Sequence, residues 1–435
     1  MRFSVLPGGE LRGEWRAASD KSISHRAVLL ASLAEGTSEI SRVLMSEDVR
    51  ATIAAVRACG AEVREEKGRL AVSGGALKPP AADIDCGNSG TLMRLFAGVA
   101  AGWGLPARLV GDSSLMRRPM RRISAPLAEM GANIAVSEDG APPVVISSGG
   151  RLRGMAHNIS IASAQVKSAI LLAGLRAEGE TSVTEPFPSR DHTERMLDAF
   201  NVSVRREKLR VSVSGGAVLS PARFGVPADI SSAAFFMAGA AISPGSEVVL
   251  KETGINPTRA GVVELLRRMG ARIEILNPRQ MGAEPAADIQ VLGGELRGID
   301  ISAREVPAAI DEFPALFVAA AAAKGETTLS GAGELRRKES DRISAMSAGL
   351  RRLGVECEES EDGICIEGRG GKSAVFAGGE VDSQGDHRIA MAFAVAALRA
   401  KSAITVRNCD NVATSFPDFV RQATAAGLRI AAEND

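Results

Sequence analysis

The chain repeats one pattern six times, and this repetition limits the possible fold more than any other feature of the sequence. Each copy closes with an apolar helix pattern, a glycine or asparagine, and a short β pattern. The six closing segments are Val56–Val63, Leu127–Ile134, Met196–Val204, Leu265–Ile273, Leu350–Cys357 and Ala423–Ile430. Because glycine and asparagine reach positive φ at the lowest cost, each helix is predicted to end at that residue.

Each copy also contains an Ala-rich apolar helix that begins at polar residues. The six begin near Asp20, Gly87, Ser163, Asp229, Asp311 and Asp386, at intervals of roughly 70 to 80 residues. A helix that is apolar nearly all round belongs inside a domain. Together with the short strands and Gly-rich turns between the helices, this predicts a mixed α/β fold in which six units form two domains of three.

The length of the chain predicts two domains, and its charge balance limits the classes of partner that it can bind. At 435 residues the chain exceeds what one hydrophobic core usually serves, so two domains of roughly 200 residues each are expected. The 52 basic residues equal the 52 acidic residues, which removes the global electrostatic argument for a nucleic acid or an anionic membrane as partner. Any anion site must therefore be a local concentration of charge.

The cysteines and the start of the chain predict a cytoplasmic protein. The five cysteines form no CxxC pair, and their odd number argues against a disulfide framework. The segment Met1–Glu10 reaches Pro7 before an apolar core of leader length develops. The longest apolar runs, such as Ala315–Ala323, are too short to span a bilayer. We expect no targeting or membrane segment.

The first buried helix begins with residues that suit an anionic ligand. Ser22 and Arg26 stand four apart, on one helical face, and Lys21 at the helix start can reach the same ligand. A compact ammonium and a planar guanidinium together would hold a phosphorylated acid. Taken alone, the motif is more readily explained as a helix cap with a solvated Lys and Arg, and His25 is interpreted as structural.

Two further segments of the first half carry small or basic residues. Gly87–Arg94 leads into the second helix, where glycines let backbone N–H groups approach a ligand closely. A Gly-Asn-Ser turn before a helix is also common without any ligand. Leu115–Arg122 contains four arginines; most are expected to be solvated, and Arg118 is the candidate for a ligand contact. Ser163–Lys167 and Ser189–Arg195 add hydroxyl, amide and guanidinium groups, although ordinary capping would also explain them.

The second half supplies the candidate acid and base groups. Lys338 and Arg342 are predicted to share one helical face beside Glu339, and Asp386–Arg388 repeats an acid and a base at another helix start. The four dispersed histidines and the absence of a cysteine pair give no metal-ligand spacing. We therefore expect metal-free chemistry, with Asp311 and Glu339 as carboxylate acid/base groups.

From the Asp20 motif to Thr414–Asp418, the order and spacing of these segments resemble the 5-enolpyruvylshikimate-3-phosphate synthase family of enolpyruvyl transferases, also called 3-phosphoshikimate 1-carboxyvinyltransferases. The likeness covers nearly the whole chain and is strongest to the bacterial branch that reads Ser-Ala-Gln-Val-Lys and Ser-Arg-Asp-His-Thr-Glu. It implies two inverted α/β barrel domains of three repeats each, with a cleft between them. The implied domains are residues 1–19 plus 229–435, and residues 20–228.

The resemblance also implies an activity: transfer of the enolpyruvyl group of phosphoenolpyruvate to the 5-hydroxyl of shikimate 3-phosphate, with release of phosphate, in aromatic amino-acid synthesis. It implies no cofactor, and a monomer is expected. By motif, the residues implied to hold shikimate 3-phosphate are Lys21, Ser22, Arg26, Ser163, Gln165, Arg190, Asp311 and Lys338. Those implied to hold phosphoenolpyruvate are Lys21, Gly90, Arg118, Gln165, Arg342 and Arg388.

The mechanism implied by the resemblance is addition followed by elimination through a tetrahedral ketal. A proton must reach the methylene carbon and later leave it, and Lys21, Asp311 and Glu339 are implied to serve. Asp311 is implied to accept the 5-hydroxyl proton. Glyphosate inhibits this family at the phosphoenolpyruvate site, and Gly90 implies a sensitive enzyme. The sequence departs from many relatives at Ala413, where they carry a lysine.

Two alternatives remain at the level of sequence. The peptidoglycan enolpyruvyl transferases share the repeat fold, but their motif has a cysteine before an Arg-Pro, and Gly111–Pro119 contains none. A phosphometabolite-binding module without catalysis would keep the basic helix starts and have no need of Asp311 and Glu339. Phosphate release with both substrates would separate these possibilities.

Overall fold

A computed structural model describes residues 1–66 and 68–434, which form a mixed α/β fold. Within these ranges the helices are α1 Lys21–Leu33, α2 Glu47–Ala58, α3 Gly90–Trp103, α4 Arg121–Glu129, α5 Ala164–Gly174, α6 His192–Ala199, α7 Ile230–Ile242, α8 Gly261–Arg268, α9 Val306–Ala309, α10 Phe313–Ala322, α11 Arg342–Arg352, α12 His387–Ala396 and α13 Phe419–Ala425. The mixed α/β class expected from the repeat is confirmed.

Short strands alternate with these helices along the chain. They are β1 Arg2–Val5, β2 Arg12–Trp15, β3 Gly36–Ser41, β4 Glu62–Glu66, β5 Arg69–Gly74, β6 Ile84–Asp85, β7 Ala107–Val110, β8 Ile134–Ala135, β9 Val144–Ile146, β10 Ala156–Asn158, β11 Glu180–Thr184, β12 Arg205–Glu207, β13 Arg210–Ser214, β14 Arg223–Gly225, β15 Glu247–Gly254, β16 Arg272–Met281, β17 Glu284–Leu292, β18 Asp300–Ile301, β19 Lys324–Leu329, β20 Cys357–Glu359, β21 Ile364–Arg369, β22 Gly379–Asp382, β23 Ile404–Arg407 and β24 Ile430–Glu433. None exceeds ten residues, as expected for a repeat with little room between its helices.

The strands form six sheets of one design. Each sheet has four strands, in the orders β14-β3-β5-β4, β6-β7-β9-β8, β10-β11-β13-β12, β2-β15-β17-β16, β18-β19-β21-β20 and β22-β23-β1-β24. In all six the first pair is parallel and the second is antiparallel. A parallel pair needs a crossover connection. Helices supply it between β6 and β7, β10 and β11, β18 and β19, and β22 and β23, whereas much longer segments separate β3 from β14 and β2 from β15. The sixfold repeat read from the sequence is therefore present as six copies of one α/β unit.

One helix of each of the six repeats is buried nearly all round. These helices are α1, α3, α5, α7, α10 and α12, and every residue of α7 and α10 is buried. Small side chains let such helices approach closely. At Gly98 in α3, a Cβ would lie only 2.3 Å from the carbonyl oxygen of Ala169 in α5, so no larger residue fits this contact.

The predicted helix ends are confirmed in all six copies. The terminating residues have positive φ: Gly60 92°, Gly131 105°, Asn201 62°, Gly270 99°, Gly354 83° and Gly427 110°. This left-handed conformation stops the helix and turns the chain toward the next strand.

The chain divides into two compact units of three sheets each. Unit 1 consists of Met1–Asp20, Pro227–Arg279 and Pro285–Asp435, and unit 2 of Lys21–Val226 and Gln280–Glu284. Unit 1 contains the buried helices α7, α10 and α12, and unit 2 contains α1, α3 and α5. Over the described ranges, no helix combines the length and apolarity needed to cross a membrane.

Candidate active site

The predicted site residues of unit 1 gather around Arg342, the first residue of α11. Its side chain is fully buried, and its fork donates to three carboxylates. Nη1 lies 3.0 Å from Oδ1 of Asp311, Nη2 lies 2.6 Å from Oε2 of Glu339, and Nε lies 2.8 Å from Oδ2 of Asp386. Burial alone would lower the pKa of Arg342, but the three carboxylate charges raise it above its ordinary value.

Asp311 receives two further cations besides Arg342. Lys338 Nζ lies 3.5 Å from Oδ1 of Asp311, and Arg388 Nη2 lies 3.9 Å from Oδ2. Arg388 Nη1 also donates to the main-chain oxygen of Asp311 at 3.1 Å. Three cationic groups therefore face one carboxylate that is only 12% exposed.

The placement of Lys338 differs from the prediction. Lys338 and Arg342 were expected on one helical face, but Lys338 follows the 3₁₀ turn Gly333–Arg337, and α11 begins only at Arg342. The cause is Asp341, whose side chain accepts a hydrogen bond from the Ser344 N–H at 3.1 Å and so caps α11 one residue before Arg342. Both cations nevertheless reach Asp311.

The start of α12 completes this group. Asp386 caps the helix by accepting from the Arg388 N–H at 2.9 Å, and it binds Arg342 with the same carboxylate. The sequence motif Asp386–Arg388 was noted, but Asp386 was not among the predicted site residues. Its position two residues before Arg388 at a buried helix start was the available signal. The groups gathered here are Asp311, Lys338, Glu339, Arg342, Asp386 and Arg388, three acids and three bases.

In unit 2, the start of α1 has the expected geometry. Lys21 is its first residue, and its Nζ lies 3.1 Å from Oδ2 of Asp48, with 14% of the lysine side chain exposed. Arg26 Nη1 donates at 3.0 Å to the main-chain oxygen of Ser22, so the two residues share a face as predicted. Asp48 was missed by the sequence reasoning because it lies in a different helix, α2.

Arg26 is almost completely buried and is held by neutral oxygens. Nε donates to the Thr193 hydroxyl at 2.7 Å, and Nη2 donates to the Ser168 hydroxyl at 3.0 Å. These contacts fix the guanidinium plane from α6 and α5, respectively. Arg190, a further predicted contact, lies partly exposed in the loop before α6, and its role stays a prediction.

Two guanidinium groups converge on Gly90 at the start of α3. A Cβ at Gly90 would lie 2.7 Å from Nη1 of Arg94 and 3.3 Å from Nη1 of Arg118. Arg118 is held by Asn88, whose side-chain oxygen accepts from Nη2 at 2.6 Å and whose main-chain oxygen accepts from Nη1 at 3.2 Å. The N-terminus of a buried helix adds its own positive potential at this point.

Gln165 joins the start of α5 to this group. Its Oε1 accepts from Arg94 Nη1 at 2.6 Å, and its Nε2 donates to the Thr91 hydroxyl at 2.9 Å. Ser163 caps α5 through the Val166 N–H at 3.5 Å. Arg94 therefore links Gly90 to Gln165, although sequence reasoning did not select it. Its spacing, four residues after Gly90 on a buried helix, was the only signal.

A buried ion triad supports the loop that leads to Arg190. Lys167 Nζ lies 2.7 Å from Oε2 of Glu185 and 2.8 Å from Oε1 of Glu194, and all three side chains are buried. Burial alone would lower the pKa of Lys167, but the charges of the two glutamates raise it. The same ammonium reaches the main-chain oxygen of Ser189, the residue before Arg190, at 3.5 Å.

Comparison with known proteins identifies the family to which this chain is similar. The family model described as EPSP synthase (3-phosphoshikimate 1-carboxyvinyltransferase) matches residues 5–423. The chain is 57% identical over 432 residues to the 3-phosphoshikimate 1-carboxyvinyltransferase of Methylococcus capsulatus, covering 98% of both chains. It is 54% identical over 432 residues to that of Halorhodospira halophila, covering 98% of this chain and 96% of the relative.

Solved structures agree with these relatives. A structure of EPSP synthase from Acinetobacter baumannii superposes with a TM-score of 0.89 at 50% identity and covers 100% of both chains. The enolpyruvyl transferase NikO from Streptomyces tendae has a TM-score of 0.79 at 17% identity, over 99% of this chain and 98% of its own, and shares the fold. The chain belongs to the EPSP synthase family of enzymes.

Proposed function

We propose that this enzyme transfers the enolpyruvyl group of phosphoenolpyruvate to the 5-hydroxyl of shikimate 3-phosphate and releases phosphate. The observation that carries the proposal is the buried carboxylate of Asp311, held between Arg342 Nη1 at 3.0 Å and Lys338 Nζ at 3.5 Å. A family member needs a positioned proton acceptor for the attacking hydroxyl, and a carboxylate fixed by cations on a buried helix start meets that need.

The reaction begins with addition. The 5-hydroxyl oxygen bonds to C2 of phosphoenolpyruvate, its proton passes to Asp311, and a proton is delivered to the C3 methylene, which becomes a methyl group. We assign the C3 proton to Glu339 or Lys21, the other acid/base candidates. Glu339 is held by Arg342 Nη2 at 2.6 Å, and Lys21 by Asp48 at 3.1 Å.

Elimination completes the transfer. The C2–O bond to phosphate breaks with its electron pair, a proton returns from the methyl group to the acid/base group that delivered it, and the enol ether of the product forms. The departing phosphate gains negative charge, so preorganised cations lower the barrier. In unit 2 we assign this role to Arg118, and in unit 1 to Arg342 and Arg388, whose guanidinium groups are buried and oriented by the contacts described above.

The binding roles are divided between the residues around Arg342 in unit 1 and the residues at the helix starts of unit 2. In unit 2 we assign Lys21, Ser22, Arg26, Ser163, Gln165 and Arg190 to shikimate 3-phosphate, and Lys21, Gly90, Arg118 and Gln165 to phosphoenolpyruvate. In unit 1 we assign Asp311 and Lys338 to shikimate 3-phosphate, and Arg342 and Arg388 to phosphoenolpyruvate. Support comes from the convergence of Arg94 and Arg118 on the α3 start, where backbone N–H groups and guanidinium groups can share one anion.

The peptidoglycan-type alternative has no support in the family match, and Gly111–Pro119 contains no cysteine. We further propose that units 1 and 2 correspond to the two domains of the family fold, and that the enzyme acts in the cytoplasm as a monomer. Analytical ultracentrifugation tests the last point directly.

The decisive experiment measures inorganic phosphate released by the purified enzyme. Release should require both phosphoenolpyruvate and shikimate 3-phosphate, and mass spectrometry should find the enolpyruvyl ether of the acceptor. Phosphate release without the acceptor, or release with the sugar-nucleotide acceptor of the peptidoglycan enzymes instead, would contradict the proposal. Binding of both substrates without release would indicate a module that lacks catalysis.

A further inference from the structure

A second buried charge cluster in unit 1 surrounds Arg259, a residue with no role in the proposed reaction. Arg259 is 3% exposed. Its Nη2 lies 2.9 Å from Oδ1 of Asp229 and 3.6 Å from Oε1 of Glu312, and its Nη1 lies 3.4 Å from Oδ2 of Asp20. One guanidinium therefore faces three buried carboxylates.

Ser231 forms hydrogen bonds with both Glu312 and Arg259. Its hydroxyl donates to Oε1 of Glu312 and accepts from Nη2 of Arg259. Its main-chain N–H donates at 2.9 Å to Asp229, the residue that caps α7. The Glu312 side chain is fully buried, so it is tied at once to the start of α7 and to Arg259.

This cluster contains three carboxylates and one guanidinium, so each contact with Arg259 matters more for the stability of the buried charges. Burial raises the pKa of Asp229, and the neighbouring charge of Asp20 raises it further. Asp229, Asp20 and Glu312 therefore compete for the single guanidinium of Arg259. A buried carboxylate without its cation is costly, so Glu312 has little freedom to leave this position.

Glu312 is the residue after Asp311, the proposed acceptor of the hydroxyl proton. The peptide unit between them is held on both sides. Arg388 Nη1 donates to the main-chain oxygen of Asp311 at 3.1 Å, while the Glu312 side chain is anchored by Ser231 and Arg259. These two anchors set the backbone direction from which the Asp311 carboxylate extends.

We propose that Glu312 and Arg259 are positioning residues that fix Asp311 for proton transfer. The inference rests on the proposed function, in which Asp311 is the base. An error of about 1 Å in a reacting group can cost on the order of 10²-fold in rate, and supporting contacts of this kind preorganise a site. Neither residue touches a reacting atom in this proposal; both act through the backbone of Asp311.

The test compares Glu312→Ala, Glu312→Gln and Arg259→Lys. Glu312→Ala and Arg259→Lys should each lower kcat by about tenfold while the KM of each substrate changes less than threefold. Glu312→Gln keeps an acceptor for Ser231 and should recover most of the loss. The matched control is Glu305→Ala, which removes another carboxylate of unit 1, paired with Arg268, and should leave kcat within twofold of wild type.

A double-mutant cycle separates positioning from general damage. If Glu312 acts through Asp311, Glu312→Ala should cost less than threefold in kcat when Asp311 is already asparagine. A full tenfold loss in that background would overturn the inference, and so would folded single variants with wild-type kcat. If Glu312→Ala does not fold, Arg259→Lys in the same two backgrounds decides. Wild type that releases no phosphate would instead refute the proposed function.

Discussion

Arg342 of unit 1 and Arg118 of unit 2 differ in the charge of their partners. In unit 1, Arg342 binds Asp311, Glu339 and Asp386, all within 3.0 Å. In unit 2, Arg118 binds the amide oxygen and main-chain oxygen of Asn88, which carry no charge. One guanidinium is thus compensated within its unit, and the other keeps its full positive charge.

This difference suggests a division of labour. Besides its proposed contact with phosphoenolpyruvate, Arg342 fixes carboxylates in place for proton transfer, whereas Arg118, held by neutral oxygens, is oriented and attracts an anion with its full charge. Unit 2 has buried carboxylates as well, but Glu185 and Glu194 are bound to Lys167 and not to Arg118. The predictions below test this contrast, from the largest expected effect to the smallest.

Asp311→Asn should have the largest effect on activity. Asparagine keeps an oxygen for Arg342 but cannot accept the hydroxyl proton, so kcat should fall about 10²-fold or more. Binding of shikimate 3-phosphate, measured by calorimetry, should change little. The control Asp382→Asn removes a half-exposed carboxylate of the same unit, paired with Arg407, and should retain activity. Turnover of Asp311→Asn within a few-fold of wild type would remove Asp311 from its role.

Lys167→Met should produce the largest loss of stability. It leaves Glu185 and Glu194 buried without their cation, which costs about 3–5 kcal/mol in the free energy of unfolding. Urea denaturation near neutral pH measures this loss. Lys251→Met is the control, because Lys251 also bridges two carboxylates, Glu14 and Asp288, but is 38% exposed. Equal losses in the two variants would show that burial of the triad has no special weight.

The same variant gives a pH dependence with a definite sign. The folded pKa of Lys167 is raised above its ordinary value of 10.5, so its stabilising charge is fully present at lower pH. As pH rises above 10.5 and through the folded pKa, this contribution is lost. As pH is raised from neutral, the stability difference between wild type and Lys167→Met should therefore first stay constant and then shrink in strong alkali. A difference that already shrinks as pH is raised from 7 to 9 would contradict the raised pKa.

Arg118→Met should weaken phosphoenolpyruvate more than shikimate 3-phosphate. A charge-assisted hydrogen bond contributes about 1.5–3 kcal/mol, so the KM for phosphoenolpyruvate should rise roughly tenfold to a hundredfold. Arg121→Met is the control from the same basic segment, because the Arg121 side chain donates to the main-chain oxygen of Glu138, far along the chain from the start of α3. Equal changes in both variants would mean that Arg118 makes no specific contribution to phosphoenolpyruvate binding.

The sequence predicted the architecture well because the architecture is local and repeated. A glycine such as Gly270 predicts a helix end because glycine adopts positive φ readily. The almost entirely apolar composition of α7 predicts that this helix is buried. Six copies of such signals made the α/β repeat readable without any knowledge of contacts. The start of α11 was wrong by a few residues, because the capping residue Asp341 lay inside the motif that was read as one continuous helix.

The partners within the site were harder to predict. Arg94, Asp48 and Asp386 lie beside residues that were selected, but their contacts cross between helices and depend on how those helices pack. The Arg259 cluster joins residues as far apart as Asp20 and Glu312. Sequence spacing carries no information on such pairs without the fold, so these pairings emerged only from the structure.

Gly90→Ala should give the smallest effect and the finest test of the uncompensated site. The added Cβ would lie 2.7 Å from Nη1 of Arg94 and 3.3 Å from Nη1 of Arg118. Both contacts are the far ends of flexible side chains, which can retreat. The overpacking cost should therefore fall at the lower end of ~1–3 kcal/mol. Because glyphosate is longer than phosphoenolpyruvate, it should lose more of the space beside the helix start.

We therefore expect wild type to be sensitive to glyphosate, and Gly90→Ala to raise its inhibition constant about tenfold while the KM for phosphoenolpyruvate rises less. Gly102→Ala is the control, since it adds a methyl group to the same helix against Ala173, at the opposite end from Arg118. Equal changes in the two constants would mean that Gly90 does not discriminate between the ligands. A wild type already indifferent to millimolar glyphosate would point instead to Ala413, the position at which the family resemblance implies a lysine, as the origin of tolerance.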